Sequence, residues 1–341
     1  MPHPHTNPQS NSYHGWISIH KPLGMTSFDV VRDVKRILRP LLPKKTKIGH
    51  GGTLDPLASG VLPIAIGEAT KTVDYLMDEK KTYVFDVTWG IQTITDDAEN
   101  LNDPSKEVIL HQSPKRPTQS EIEDCIPSFL GELEQFPPLY SAKKIQGERA
   151  CDRMRRGESI DLPASTITVF SLEMLSHQEN VTRFKVVCSK GTYIRSIARD
   201  MGQKLGCYGH ASKIERTKVG HMAIETALPT KNLAILENPD ILRRQIQPIQ
   251  TVLADIPAVL VTPDQEARLR HGQVVVEQTA PKTASIVLCV AKESLDETTE
   301  PNHETNFAER AVAIAEVGVE VGINEDSHTT LKPKRIFNIF N

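Results

Sequence analysis

The chain has five cysteines in 341 residues, and no two of them stand in a C-x-x-C spacing. Cys125, Cys151, Cys188, Cys207 and Cys289 are far apart, which argues against a zinc site and a disulfide framework and suits a reducing cytoplasm. No apolar run approaches the ~20 residues of a membrane span, so no membrane partner is expected. No internal repeat is visible. The opening segment MPHPHTNPQSNSYH has neither a basic start nor an apolar stretch. It reads as a disordered tail over residues 1–14 rather than a leader, with His3, His5 and His14 solvated rather than gathered on a metal. The length favours two units, and a hydrophobic content of 38% supports packed cores.

Net charge is also scarce, at −3, which at first argues against a nucleic-acid partner. The distribution reverses that inference. Residues 291–330 carry ten acidic and two basic side chains, a local charge of −8 that leaves the other 301 residues at +5. Basic residues also cluster: Arg32, Lys35, Arg36 and Arg39 share one face of a candidate helix, and Lys44, Lys45 and Lys47 follow. Their nearness to a glycine-rich loop raises the expectation of a phosphate-binding surface over a merely solvated face.

The chain reads as strands alternating with helices. Gly15–Ile19 is a candidate strand, followed by a turn at His20–Gly24. Thr26 or Ser27 can cap a helix over Phe28–Leu42, whose apolar positions recur at helical spacing. Val61–Ile66, Thr82–Trp89 and Thr182–Ser189 read as strands. Thr118 with Glu121 resembles a capping box opening a helix to about Phe129, and another helix is expected from Tyr193 to about Leu205. Between them, residues 141–156 hold six basic residues against Glu148 and Asp152 alone. From about Ile256, short β-like runs separated by polar turns suggest a small β domain, interrupted by an acidic loop at 291–309.

The most informative segment is Gly49–Gly60, GHGGTLDPLASG. Its glycines permit backbone angles closed to other residues, and Pro56 pushes Asp55 towards an extended conformation. A carboxylate held rigidly at such a bend suits a nucleophile or general base; an Asx-turn or helix cap is the plainer alternative.

Several segments in order then carry a resemblance: HKPLGMTS (20–27), GHGGTLDPLASGVLPIAIGEATK (49–71), KTYVFDVTWG (81–90), PPLYSAKKIQGERA (137–150), CSKGTYIRSIARDMG (188–202) and ERTKVG (215–220). Together they resemble the TruB family of tRNA pseudouridine-55 synthases over about residues 15–250, and more weakly beyond. The resemblance implies a mixed α/β (α+β) pseudouridine synthase fold with a largely antiparallel sheet at 15–250, and a basic RNA-clamping insertion at about 131–165. A small β-rich, PUA-like domain would follow at 255–341.

The implied activity detaches the T-loop uracil at N1 and rejoins it through C5, with no cofactor and no metal. Its implied partner is the tRNA T-stem-loop, engaged by a monomer in the cytoplasm. Asp55 falls on the family's catalytic aspartate, Arg195 on the arginine that pairs with it, and Tyr83 on a tyrosine that stacks on the target base. Tyr193 matches a second aromatic of the pocket, and Ile214 an apolar wall. His50 matches a histidine that fills space left by flipped nucleotides, or it simply bonds the loop backbone. Lys21 either supports the loop or contacts RNA, and Lys143, Lys144, Arg149 and Arg153 would bind phosphates. Cys151 stands where a tyrosine is usual and takes no role, and Asn100 replaces a usual glycine in a turn. Two other classes compete: an RNA-binding or tRNA-folding chaperone, and a guide-dependent, dyskerin-like synthase that shares the TLDP loop.

Overall fold

The computed structural model of the protein describes residues 13–103, 106–141, 143–145, 147–277, 279–281, 283–292, 309–321 and 327–339. The amino-terminal residues 1–12, with His3 and His5, lie outside it, as does nearly all of the acidic loop expected at 291–309. Tyr13 and His14, the last two residues of the expected tail, are placed. Tyr13 packs on the core, and His14 Nδ1 accepts a hydrogen bond from the Glu68 amide at 3.2 Å.

The first strand, β1 (Gly15–Lys21), runs two residues past the expected end at Ile19 and into the expected turn, because Lys21 still pairs with Gly60. Thr26 then caps α1 (Ser27–Leu38) in a full capping box with Asp29. The helix stops four residues short of the expected end. Val30, Val31, Val34, Ile37 and Leu38 make its buried stripe.

A short strand, β2 (Ile48–His50), leads through the glycine loop into β3 (Ala58–Ile66), all nine residues of which are buried. Both faces of β3 are covered, which accounts for its unbroken apolar run. After α2 (Val73–Asp78) comes β4 (Lys81–Trp89), then α3 (Gln119–Cys125), which opens on the anticipated Thr118–Glu121 box and ends in a 3₁₀ turn, Ile126–Phe129. Next are β5 (Gly131–Gln135), the short α4 (Ala150–Arg155), β6 (Ser165–Gln178), β7 (Val181–Cys188) and α5 (Ile194–Lys204). The body closes with β8 (Gly209–Val219) and β9 (Leu228–Pro229).

These strands form one large sheet in the order β9-β1-β3-β8-β4-β7-β6-β5, with β2 pairing along β3. It is mostly antiparallel; β1–β9 and β3–β8 are its parallel pairs. The fold is therefore mixed α/β with a largely antiparallel sheet. Helices α1 and α5 contribute to one core, where Val34, Leu62, Phe85, Phe184 and Ile197 meet.

The carboxyl-terminal part is a five-stranded sheet of β10 (Ala258–Leu260), β11 (Val275–Val276), β12 (Ile286–Lys292), β13 (Glu309–Val321) and β14 (Ser327–Ile336). It has its own core around Val259, Leu269, Val287 and Leu331. A further apolar cluster joins it to the body: Trp16, Val61 and Val219 pack with Leu288, Ile314 and Phe337. Among the described residues, no helix is long and apolar enough to cross a membrane.

Candidate active site

One row of register partners crosses the sheet and sets the site's floor. Lys21 on β1 pairs with Gly60 on β3, Gly60 with Arg216 on β8, and Arg216 with Tyr83 on β4. Gly60 has φ +107, and a Cβ there would lie 2.2 Å from the Arg216 carbonyl oxygen, so no other residue fits. Gly51 is tight for a different reason: its missing Cβ leaves room for Leu76 and Trp16, which makes it a packing glycine rather than an opening for a ligand.

The loop carrying Asp55 is fastened from below. Ser27 Oγ donates to the Leu54 carbonyl at 3.0 Å and accepts from the Leu54 amide at 2.8 Å. The Gly24 amide donates to Pro56 O at 2.8 Å, and the Gly51 amide to Pro63 O at 2.8 Å. Arg216, almost wholly buried, donates from Nε to Val61 O at 2.8 Å and from Nη2 to Gly52 O at 3.0 Å. These six hydrogen bonds, made before and after Asp55, thus leave its backbone little freedom, while the carboxylate itself is 40% exposed.

Opposite Asp55 is Arg195, from the first turn of α5 and 4% exposed. Its Nη2 lies 2.9 Å from Asp55 Oδ2, and its Nη1 lies 3.6 Å from Asp97 Oδ2. The guanidinium also donates to Thr95 O at 2.8 Å and to Tyr140 O at 3.2 Å. Burial raises the Asp97 carboxyl above the ordinary range, against the opposing pull of Arg195, Thr95 and the Glu99 amide. A neighbouring pair, Asp96 with Arg199 at 2.9 Å, secures the same turn to α5.

Asp55 and Tyr83 line one cavity of about 300 Å³ together with Tyr193, Ile214, Lys143, Lys81 and Arg216. The Tyr83 phenol is pushed up by burial and is hydrogen-bonded to Arg216. Tyr193 caps α5, and its backbone is held on both sides by the Gln135 amide, at 2.8 and 3.1 Å. Ile214 is buried and pairs with Phe85 on one side and Ala58 on the other. Lys143 reaches the cavity while donating to Pro163 O and Ser165 Oγ, each at 2.8 Å.

The remaining expected residues are placed differently. Lys21 is fully buried away from the cavity wall and donates to Pro22 O at 3.0 Å and Met25 O at 2.7 Å. Burial lowers its amine to about 8, with Asp55 opposing the shift. Of its two proposed uses, this geometry is that of a loop support. His50, at the end of β2, is not among the residues lining the cavity; its buried Nδ1 has no protein partner, and burial and Arg216 lower its imidazole. Lys144 and Arg149 pair with each other in a two-residue ribbon, and their side chains lie outside the described residues. Arg153 is held at 2.6 Å by Glu158, Arg156 by Glu148 and Glu158, and Arg155 lies 3.5 Å from Asp152. Arg153, Arg155 and Arg156 thus face the insertion's own carboxylates. Exposed pairs of this kind are weak, so an incoming phosphate can replace them.

Arg216, Lys81 and Asp97 were not singled out in the sequence, and Ser27 only as a possible helix cap, although Arg216, Lys81 and Ser27 sit in motifs quoted above. A signal was present for two of them. Lys81 in the strand pattern KTYVFDVTW and Arg216 in KIERTKV stand where packing would otherwise place an apolar side chain, and a buried charge implies a partner.

Comparison with known proteins identifies the family. Residues 35–194 match the model of the TruB family pseudouridylate synthase N-terminal domain, and residues 195–254 that of the tRNA pseudouridylate synthase B C-terminal domain. A tRNA pseudouridine synthase B from Nitrobacter winogradskyi is 40% identical over 334 residues, covering 96% of this chain and 83% of the relative. One from Zymomonas mobilis is 43% identical over 267 residues, covering 78% and 86%. Among solved structures, an H/ACA RNP bound to a substrate RNA containing 2′-deoxyuridine superposes with a TM-score of 0.66 at 22% identity, covering 98% of this chain and 89% of that one. The archaeal box H/ACA sRNP Nop10-Cbf5 complex gives 0.64 at 21%, covering 97% and 88%. At that identity the likeness is one of fold.

Proposed function

Because the chain belongs to the TruB family of pseudouridylate synthases, we propose that it converts uridine 55 in the T-loop of tRNA to pseudouridine. The observation that carries this is the Asp55–Arg195 pair at 2.9 Å on the wall of a cavity shared with Tyr83. Asp55 is the nucleophile that joins the nucleoside covalently, and that bond breaks again to free the carboxylate once the product forms. The N1–C1′ bond breaks, a C5–C1′ bond forms, the proton at C5 leaves and N1 gains one. No electrons are exchanged with a second reactant, so the chemistry calls for no cofactor or metal.

Arg195 pairs with the carboxylate at 2.9 Å and aims it at the cavity. Tyr83 and Tyr193 supply aromatic faces for an unstacked base, and Ile214 an apolar wall. Lys143 and the arginines of the insertion hold phosphates, offsetting the few kcal/mol that base flipping costs. The protein acts in this reading as a monomer in the cytoplasm.

The purified protein should convert an unmodified T-stem-loop with no guide RNA or added protein. Asp55→Asn should abolish conversion while retaining most RNA affinity. Conversion by that variant would overturn the assignment of Asp55, and a need for a guide RNA would favour the dyskerin-like alternative. Retained cellular function of Asp55→Asn would favour the chaperone.

A further inference from the structure

Phe28 is the most exposed large apolar side chain among the described residues, at 69%. A lone exposed phenylalanine needs no account. This one begins a stripe: Phe28, Arg32, Lys35, Arg36 and Arg39 recur at the spacings that share one helix face, over about 16 Å of α1. With Val31 at its base the stripe forms an open groove of about 340 Å³. Arg32 is engaged by Asp29 at 2.7 Å and Asp33 at 3.8 Å. No carboxylate among the described residues lies within ion-pair distance of Lys35, Arg36 or Arg39. Exposed Lys44, Lys45 and Lys47 continue the positive charge beyond the helix.

The groove is also tied to the candidate active site. Ser27, next to Phe28, makes both hydrogen bonds to Leu54, and Gly24 in the preceding turn bonds Pro56. The aromatic end of the stripe is thus anchored to the residues flanking Asp55, and the cationic end leads away from it.

We propose that this outer face of α1 is a second RNA-binding site, in which an unpaired base of the substrate stacks on Phe28 and the adjoining phosphates lie along Lys35, Arg36 and Arg39. An aromatic face beside a cationic track is the arrangement that holds single-stranded nucleic acid, with stacking on the ring and phosphates on the charges. An acidic protein would match the charge but has no need of a ring at the end nearest the reacting nucleotide. The site rests on the tRNA reading above and extends the contact beyond the cavity and the basic insertion.

The test uses the full chain and a full-length unmodified tRNA transcript, with affinity read by filter binding over a range of salt and conversion by wild type read on the same transcript. Phe28→Ala should weaken binding about five- to hundred-fold, and Phe28→Trp should restore it. The triple change Lys35→Gln, Arg36→Gln, Arg39→Gln should lower the slope of log K against log salt by about 2–3. Circular dichroism verifies that each variant is folded. Affinities and slopes equal to wild type would overturn the site, whether the groove is then idle or serves an acidic protein. Failure of wild type to convert the transcript would instead count against the functional reading, and the binding data would still decide the groove.

Discussion

Arg195 joins two carboxylates that are 42 positions apart in the chain: one Nη faces Asp55 at 2.9 Å and the other faces Asp97 at 3.6 Å. The two acids differ in setting. Asp55 opens on the cavity, whereas Asp97 is only 5% exposed and has Arg195 as its cation. The arginine therefore does two tasks, aiming one carboxylate and neutralising another that is out of water.

Removing the guanidinium should cost stability chiefly through Asp97. Arg195→Met is expected to destabilise the protein by about 3–5 kcal/mol, because a buried charge loses its partner. Adding Asp97→Asn should recover a large part of that loss, since the orphaned charge is then gone. Urea unfolding of the two single variants and the double variant closes the cycle. Strictly additive losses would show that Arg195 does not neutralise Asp97.

Ser27 should matter out of proportion to its size. Ser27→Ala leaves the buried amide of Leu54 without its acceptor, for a loss of about 1–3 kcal/mol in chemical denaturation. The same change frees the loop before Asp55, so conversion should fall with it. Full activity in Ser27→Ala would mean that the other loop anchors suffice.

Lys81 offers a pH signature. Burial lowers its amine to about 8, whereas the unfolded chain keeps it near 10.5. Between those values the unfolded state binds more protons than the folded one, so this residue's contribution to stability rises with pH across the window. Below pH 8 both states are protonated and the contribution is flat. Comparing wild type with Lys81→Met in urea at several pH values isolates the group. The difference should move in favour of wild type between pH 8 and about 10.5, and a difference independent of pH would contradict the depressed amine.

Local signals carried well into the structure. Thr26 with Asp29 and Thr118 with Glu121 form the boxes that their spacing implies, because a cap needs only residues three apart. The apolar stripe of α1 and the β-branched run of β4 likewise report which side is buried, since side-chain direction follows the backbone period. The ends of elements were less legible. β1 runs on to Lys21 because its partner strand β3 continues beside it, and α1 stops at Leu38 although its pattern runs further.

The sequence by itself determined the chemistry on offer: a carboxylate in a rigid glycine-proline bend, arginines and aromatics in recognisable segments, and a basic body behind an acidic stretch. Which of those groups meet was decided only by the tertiary structure. Sheet register puts Arg216 beside both Gly60 and Tyr83, and the turn before α5 brings Arg195 to Asp55 from 140 positions away. Burial then divided the lysines: Lys21 turned inward to backbone carbonyls, while Lys143 reaches the cavity. The physical reason is range. Caps and periodicities act over a few residues of chain, whereas ion pairs, buried charges and cavities depend on distances through space that the folded sheet alone establishes.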